Sequence, residues 1–228
     1  MTQVNALAFE IVADDAVLQG DLVCPDHARG LVLFAHGSGS SRLSPRNRFV
    51  AGQLNEAGLG TLLFDLLSDD EARHVECRFD IDLLAERLRI ATHAVGYLVR
   101  ERGLRLGYLG ASTGAAAAIR AATARDDDTY RIDAVVSRGG RPDLAGRAAL
   151  QALQALQAPT LLIVGGMDTE VLRLNDSCLR RMHCEKALEV VPGATHLFEE
   201  PGTLEQVARL ARDGFSMHLH RQGEPAPT

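Results

Sequence analysis

Short apolar runs alternate along the chain with longer segments in which apolar residues recur every three or four positions. The short runs predict strands, and the longer segments predict amphipathic helices. Such alternation is typical of an α/β fold, in which helices cover both faces of a mostly parallel, doubly wound sheet. Eight strands are predicted, at residues 9–12, 17–23, 31–35, 61–66, 106–109, 134–137, 160–164 and 188–191. The first two are expected to form an antiparallel hairpin at one edge.

Six helices are predicted between and after these strands, at residues 47–57, 82–101, 114–124, 144–155, 170–182 and 204–218. The second has the clearest helical period, and Asp80 just before it is a candidate N-cap. No connection between elements is long enough to hold a separate cap domain. Residues 1–220 are therefore expected to form a single domain, and residues 221–228, rich in Gly and Pro, to form a flexible tail.

The composition fits one ordinary globular domain, because 46% of the 228 residues are hydrophobic and 24% are charged. A net charge of -6 argues against a nucleic-acid partner, since no stretch concentrates positive charge. The apolar runs are far shorter than the roughly 20 residues of a membrane-spanning helix, and the first ten residues lack the features of a secretory signal. We therefore expect a cytoplasmic protein with no membrane partner. The four cysteines have no metal-ligand spacing, so reduced thiols and no metal site are expected.

The segment 110–114, Gly-Ala-Ser-Thr-Gly, joins a predicted strand to a predicted helix. This GxSxG pattern in a strand–turn–helix context is typical of a nucleophilic serine held on a sharp turn. Bulky side chains two residues before or after Ser112 would collide in such a turn, and Gly110 and Gly114 remove the collision. The pattern alone also fits a Gly-rich turn with Ser112 as a helix N-cap. The catalytic interpretation therefore depends on a suitable base and acid elsewhere.

A serine hydroxyl needs a base near neutral pH, and that base needs an orienting acid. Asp168 follows the predicted strand 160–164, and His196 lies in the loop after 188–191. Both are therefore expected at the carboxyl edge of the sheet, where ligands bind to open parallel sheets. Taken alone, Asp168 fits a turn or N-cap residue and His196 fits a hydrogen-bonding loop residue. Their joint placement makes them the candidate acid and base of a triad with Ser112.

An acyl-transfer reaction also needs two N–H donors for the oxyanion of its tetrahedral intermediate. The first candidate is the N–H of Thr113, directly after the serine and at a helix N-terminus. The second lies in residues 36–41, His-Gly-Ser-Gly-Ser-Ser, whose glycines let the backbone approach a substrate closely. Ser38 is preferred, and Gly39 is the alternative. A phosphate-binding loop is the competing interpretation, but the GxxxxGK[ST] pattern is missing.

Candidates for substrate binding are His36 and Gly39 in that loop, and Arg138 and Arg141 after the strand 134–137. A guanidinium fork suits a carboxylate or a phosphate, so Arg138 is hypothesised to anchor an anionic acyl or alcohol portion of the substrate. The alternative is that both arginines pair with neighbouring carboxylates such as Asp143 and only fix loops.

With these motifs the chain resembles the α/β-hydrolase superfamily, and more narrowly its dienelactone-hydrolase-like branch. The resemblance runs through nearly the whole chain, in HGSGSSRLSPRN, TLLFDLL, RFDIDLLAERL, GASTG, SRGGRPDLA, VGGMD and PGATHLFEEPG. It implies an eight-stranded α/β-hydrolase fold and a triad of Ser112, Asp168 and His196, whose order along the chain is that of the superfamily. Dienelactone hydrolases use a cysteine nucleophile, so Ser112 means that their lactone substrate is not implied. Similar chains also occur fused to phosphoribosyltransferase-like domains.

The expected function is therefore a serine hydrolase that cleaves a small carboxylic ester or similar acyl compound through an acyl-enzyme on Ser112, with no cofactor. Acyl transfer or perhydrolysis on the same triad would differ only in which nucleophile outcompetes water. A non-catalytic binding module with a hydrolase fold is the third alternative, and the intact set of catalytic groups argues against it. Substrate identity and oligomeric state stay open.

Overall fold

One mixed sheet forms the centre of the molecule in the computed structural model, which describes residues 6–13, 16–124 and 130–219. Its eight strands in that part of the chain are β1 (Leu7–Ala13), β2 (Ala16–Val23), β3 (Gly30–Ala35), β4 (Gly60–Phe64), β5 (Arg105–Ala111), β6 (Ala134–Arg138), β7 (Thr160–Gly165) and β8 (Lys186–Val191). Their order is β1-β2-β4-β3-β5-β6-β7-β8. β2 is antiparallel to both neighbours and all other pairs are parallel. The predicted sheet and its edge hairpin are confirmed, while the predicted tail 221–228 lies outside the described residues.

The described helices are α1 (Pro45–Glu56), α2 (Val75–Phe79), α3 (Ile81–Ala94), α4 (Gly96–Arg102), α5 (Thr113–Ala122), α6 (Gly146–Ala155), α7 (Thr169–Leu179) and α8 (Thr203–His218). Short 3₁₀ turns lie at Glu71–Arg73 and Pro142–Ala145. None of these helices is long and apolar enough to span a lipid bilayer. The predicted helices are present, and the five-residue α2 is additional because one and a half turns are too short to show a period.

The predicted helix 82–101 is wrong in one respect, since it is divided into α3 and α4 at Val95. Gly96 begins the second part, and a Cβ there would lie 2.0 Å from the Tyr130 hydroxyl. Close packing against Tyr130 therefore requires glycine, whose low helix propensity favours an interruption. The predicted cap is confirmed, because Asp80 accepts a hydrogen bond from the N–H of Leu83 at 3.0 Å.

Helices cover both faces of the sheet because successive side chains of a strand point to opposite sides. Val32 and Phe34 of β3 pack against α1 and α8 on one face. Leu31 and Leu33 pack against α3 and α5 on the other. Alanines form the buried side of α5, and they let this helix lie close to the sheet at the end of β5. Because β3 and β5–β8 are parallel, the loops that follow them meet at a single edge.

Candidate active site

Ser112 occupies a sharp turn between β5 and α5, with φ 51° and ψ −120°. A positive φ is strained for a residue with a side chain, and such strain is typical of functional turns. A Cβ at position 110 would lie 2.4 Å from Ala115 Cα, and one at position 114 would lie 2.1 Å from the carbonyl oxygen of Ala35. The predicted steric requirement for Gly110 and Gly114 is therefore confirmed, and it fixes the serine at the carboxyl edge of the sheet.

Asp168 and His196 meet at the ends of β7 and β8, where Nδ1 of His196 lies 2.6 Å from Oδ2 of Asp168. Asp168 occupies the N-cap position of α7, but its side chain makes no capping hydrogen bond. The N-cap interpretation therefore does not explain the carboxylate, which contacts the imidazole instead. Gly165 allows the two loops to approach, because a Cβ there would lie 2.4 Å from the carbonyl oxygen of Ala194.

The loop that carries His196 is held by contacts on both sides of the histidine. Glu200 accepts one hydrogen bond from the N–H of Thr195 at 3.1 Å and one from its hydroxyl at 2.6 Å. These hydrogen bonds lower the pKa of the Glu200 carboxyl. Phe198 is buried and has a φ of 55°, so packing holds a strained backbone two residues after the histidine. The imidazole is thus fixed by its loop as well as by Asp168.

Ser112 and His196 line the same open cleft of about 560 Å³, together with Arg138 and residues of the loop after β3. The Ser112 hydroxyl makes no hydrogen bond to any residue that the structure describes, His196 included. The only hydrogen bond of the imidazole within the same residues is the one to Asp168. Within residues 6–13, 16–124 and 130–219, no group of three or more His, Cys, Asp or Glu side chains is placed to hold a metal ion.

The loop after β3 lies directly against the nucleophile turn. A Cβ at Gly37 would lie 3.1 Å from Ser112 Cβ, so glycine permits this approach. The N–H of Ser38, the preferred second oxyanion donor, donates to the Thr113 hydroxyl at 2.8 Å. Gly39 has a φ of 71° and also lines the cleft. Ser38 and Gly39 therefore line the same cleft as Ser112, but the Ser38 N–H already has an acceptor.

His36 has both ring nitrogens engaged by the backbone. Its Nε2 accepts a hydrogen bond from the N–H of Leu66 at 3.0 Å, and its Nδ1 lies 3.0 Å from the carbonyl oxygen of Gly37. These partners require the neutral tautomer with the proton on Nδ1. Burial lowers the pKa of His36 below its ordinary value of 6.5. The candidate His36 therefore joins the loops after β3 and β4, and these contacts leave it no free nitrogen for a substrate.

Arg138 and Arg141, which the sequence does not distinguish, have different surroundings. The guanidinium of Arg141 makes two hydrogen bonds to Asp143, at 2.9 and 2.8 Å. Arg138 is 9% exposed and lines the cleft, and its Nη1 is buried without a hydrogen-bond partner. The loop-fixing alternative therefore describes Arg141, while Arg138 faces the cleft beside Ser112.

Two residues that hold this site were not among the sequence candidates. Asn175 in α7 is fully buried, and its amide donates to the carbonyl oxygens of Gly140 and Val171, both at 2.8 Å. It thereby fixes the loop segment between Arg138, at the end of β6, and Arg141. Gly139 has a φ of 51°, and a Cβ there would lie 3.3 Å from the carbonyl oxygen of His196. An asparagine within a helical period gives no signal of such a contact, whereas the Gly139-Gly140 pair indicates a tight approach.

Comparisons with known proteins give the family. No family model matches the chain. The crystal structure of dienelactone hydrolase from Anabaena variabilis is 49% identical to it, with a TM-score of 0.86, and the match covers 95% of this chain and 99% of that one. An esterase from Pyrococcus furiosus is 18% identical with a TM-score of 0.75, over 95% of this chain and 94% of the esterase. At 18% identity, this similarity shows only that the two proteins share a fold.

A curated protein from two strains of Mycobacterium tuberculosis, named "Putative phosphoribosyl transferase", is 53% identical over 210 residues. The match covers 92% of this chain and 46% of that protein, so the chain spans about half the length of these curated relatives. The match to the Anabaena structure covers both chains almost completely at 49% identity. The chain therefore belongs to the dienelactone-hydrolase-like family of the α/β-hydrolases.

Proposed function

We propose that the protein is a serine hydrolase that cleaves small carboxylic esters or similar acyl compounds. The observation that carries this proposal is the 2.6 Å contact between His196 Nδ1 and Asp168, beside a cleft that His196 shares with the strained Ser112. A carboxylate on Nδ1 leaves Nε2 of the imidazole to accept the serine proton. The esterase and hydrolase neighbours support a hydrolase on this fold.

In the proposed reaction, Ser112 Oγ attacks the acyl carbon while Nε2 of His196 takes the hydroxyl proton. The reaction requires a hydrogen bond from Ser112 Oγ to Nε2 that forms when substrate binds, since catalytic hydrogen bonds are often long or poorly aligned in a free enzyme. Asp168 orients the imidazole and stabilises its protonated form. The alcohol leaves with that proton and an acyl-enzyme remains on Ser112. Water then loses a proton to His196, attacks the acyl carbon, and the acid is released as Ser112 regains its proton.

The proposed oxyanion donors are the N–H groups of Thr113 and Ser38. The Thr113 N–H lies at the start of α5, where the helix dipole favours a negative charge. The Ser38 N–H now donates to the Thr113 hydroxyl, so the oxyanion replaces that hydroxyl as its acceptor during the reaction. Gly39, the next residue of the same loop, is the alternative second donor. Each such donor lowers the barrier by about 2.7 to 4 kcal/mol in related chemistry.

The name of the mycobacterial relatives does not lead us to propose phosphoribosyl transfer. That name belongs to proteins of which this chain matches 46%, whereas the dienelactone hydrolase is matched over 99% of its length.

Acyl transfer and perhydrolysis use the same groups as hydrolysis. Product analysis with added alcohol or peroxide separates these reactions from hydrolysis, because each nucleophile gives a different acyl product.

The proposal is tested by labelling with a fluorophosphonate probe and by hydrolysis of p-nitrophenyl esters. We expect wild-type protein to be labelled on Ser112 and to release p-nitrophenol, and the Ser112→Ala variant to do neither. Ser216→Ala, in α8, is the matched control and should behave as wild type. Folded wild-type protein that is neither labelled nor active across esters of varied chain length and charge would contradict the mechanism.

A further inference from the structure

Arg138 has no partner for its charge among the residues that the structure describes. The residue is 9% exposed, its Nη1 is shielded from solvent without a hydrogen bond, and its guanidinium is in no ion pair there. Burying a charge is unfavourable unless a counter-charge and hydrogen bonds replace the lost water. A buried, unpaired guanidinium in a cleft is therefore suited to a negatively charged ligand.

The other arginine that lines this cleft, Arg46, is paired, and so are two arginines in the adjoining loops. Arg46 contacts Glu199 at 3.0 Å, Arg141 contacts Asp143 at 2.8 Å, and Arg42 contacts Asp65. Burial, with a further contribution from the positive charge of Arg46, lowers the pKa of Arg138 to about 10. Arg138 therefore stays protonated at neutral pH. Among the described residues that line the cleft, Arg138 is the one arginine without a carboxylate partner.

Arg138 is also close to the reacting atoms. It ends β6, and its partner in the register of the neighbouring β5 is Ala111, the residue before Ser112. Adjacent strands lie about 4.8 Å apart. The backbone carbonyl oxygen of Arg138 accepts a hydrogen bond from the N–H of Ser112 at 3.2 Å. A group bound to Arg138 would thus be only a few bonds from an acyl carbon bound at Ser112.

We propose that Arg138 binds a carboxylate of the substrate, so that the preferred substrates are half-esters of short dicarboxylic acids. The inference rests on the proposed hydrolase function and specifies its substrate class. A guanidinium fork matches the two oxygens of a carboxylate, and the substrate supplies the counter-charge that the protein lacks. Hydrolysis of such a half-ester yields a dicarboxylate and an alcohol.

The first test compares mono-p-nitrophenyl glutarate with its neutral methyl ester, both of which release p-nitrophenol. We expect wild-type protein to prefer the monoanion. Arg138→Met should lower kcat/KM for the monoanion by roughly 10- to 100-fold, the range for a hydrogen bond to a charged group, and should lower kcat/KM for the neutral ester much less. Arg138→Lys, which keeps the charge without the fork, should show a smaller loss confined to the monoanion.

The matched control is Arg212→Gln, which removes a half-buried arginine in α8, remote in sequence from the cleft residues, and changes the net charge equally. It should leave the ratio of the two kcat/KM values unchanged. Melting temperature and fluorophosphonate labelling establish that each variant is folded and has a competent serine. Equal losses on both esters in Arg138→Met and Arg138→Lys, or no preference in the wild type, would overturn the inference.

A second test measures binding without turnover. Glutarate should raise the melting temperature of Ser112→Ala, whereas neutral glutaramide should not, and the Arg138→Met substitution should abolish the shift. Stabilisation by inorganic phosphate but not by glutarate would overturn the carboxylate assignment. Failure of the hydrolase function gives a different result from failure of the carboxylate assignment. In that case wild-type protein neither hydrolyses esters nor reacts with the probe, but it still binds glutarate in a way that depends on Arg138.

Discussion

His36 and His196 follow parallel strands of one sheet, and both loops border the cleft at its carboxyl edge, yet their surroundings are opposite. His36 is buried, with Nε2 bonded to the N–H of Leu66 and Nδ1 against the carbonyl oxygen of Gly37. His196 is held by one nitrogen only, through Asp168, and its side chain is 37% exposed. Of the two, only His196 keeps a ring nitrogen without a hydrogen-bond partner among the described residues, as the proposed role of base requires.

The largest difference in kcat is expected between two variants in which one of these histidines is replaced by glutamine. His196→Gln removes the proposed base and should lower kcat for a p-nitrophenyl ester by roughly 10⁴- to 10⁶-fold, as in measured triads. His36→Gln keeps an acceptor near the N–H of Leu66 and should lower kcat by less than about tenfold, since the loop is disturbed but no reacting group is lost. Rates and melting temperatures of both variants give the comparison. Similar losses in the two variants would remove the distinction between the two histidines.

A smaller effect is expected on stability, and it concerns His36. Its pKa is lowered in the folded protein by burial, so the neutral ring stabilises the fold above the unfolded value of about 6.5. This contribution is lost as the pH falls below 6.5 toward the folded pKa, because protonation breaks the bond from the Leu66 N–H. The free energy of unfolding of wild type should exceed that of His36→Gln by about 1 kcal/mol at pH 7.5, and the difference should shrink at pH 5.

Urea denaturation at the two pH values measures this difference. His183→Gln, which replaces an exposed histidine, is the control and should leave the pH dependence of unfolding as in wild type. If His36→Gln and wild type lose stability in parallel between pH 7.5 and pH 5, the buried neutral ring is not the cause.

The sequence predicts the parts of the site that depend on local geometry. Gly110 and Gly114 identify the turn at Ser112 because their steric role involves residues nearby in the chain or the adjacent strand end. Asp168 and His196 both follow parallel strands, so they are predicted at the carboxyl edge of the sheet. The structure brings their side chains within 2.6 Å of each other. The first prediction uses the GxSxG pattern between a strand and a helix, and the second uses the parallel order of the strands.

The remaining features depend on contacts between distant segments. The tautomer of His36 is set by Leu66, 30 residues away, and the Ser38 N–H is occupied by Thr113, 75 residues away. Arg141 reaches Asp143 only two residues away, whereas the lack of a carboxylate beside Arg138 depends on which segments pack around the end of β6. Such pairings are decided by side-chain packing in three dimensions, which hydrophobic periodicity does not encode.

The smallest expected effect concerns the loop contact that holds His196 in place. Glu200 accepts the N–H and the hydroxyl of Thr195, and Glu200→Gln leaves a single acceptor oxygen for these two donors. The imidazole then samples more positions, so kcat should fall by about threefold while fluorophosphonate labelling goes to completion more slowly. Glu189→Gln, at an exposed position of β8, is the matched control. If Glu200→Gln keeps wild-type kcat, the Glu200 contact is not needed. Asp168 alone then holds His196 in place, and this one carboxylate accounts for the difference between His196 and His36.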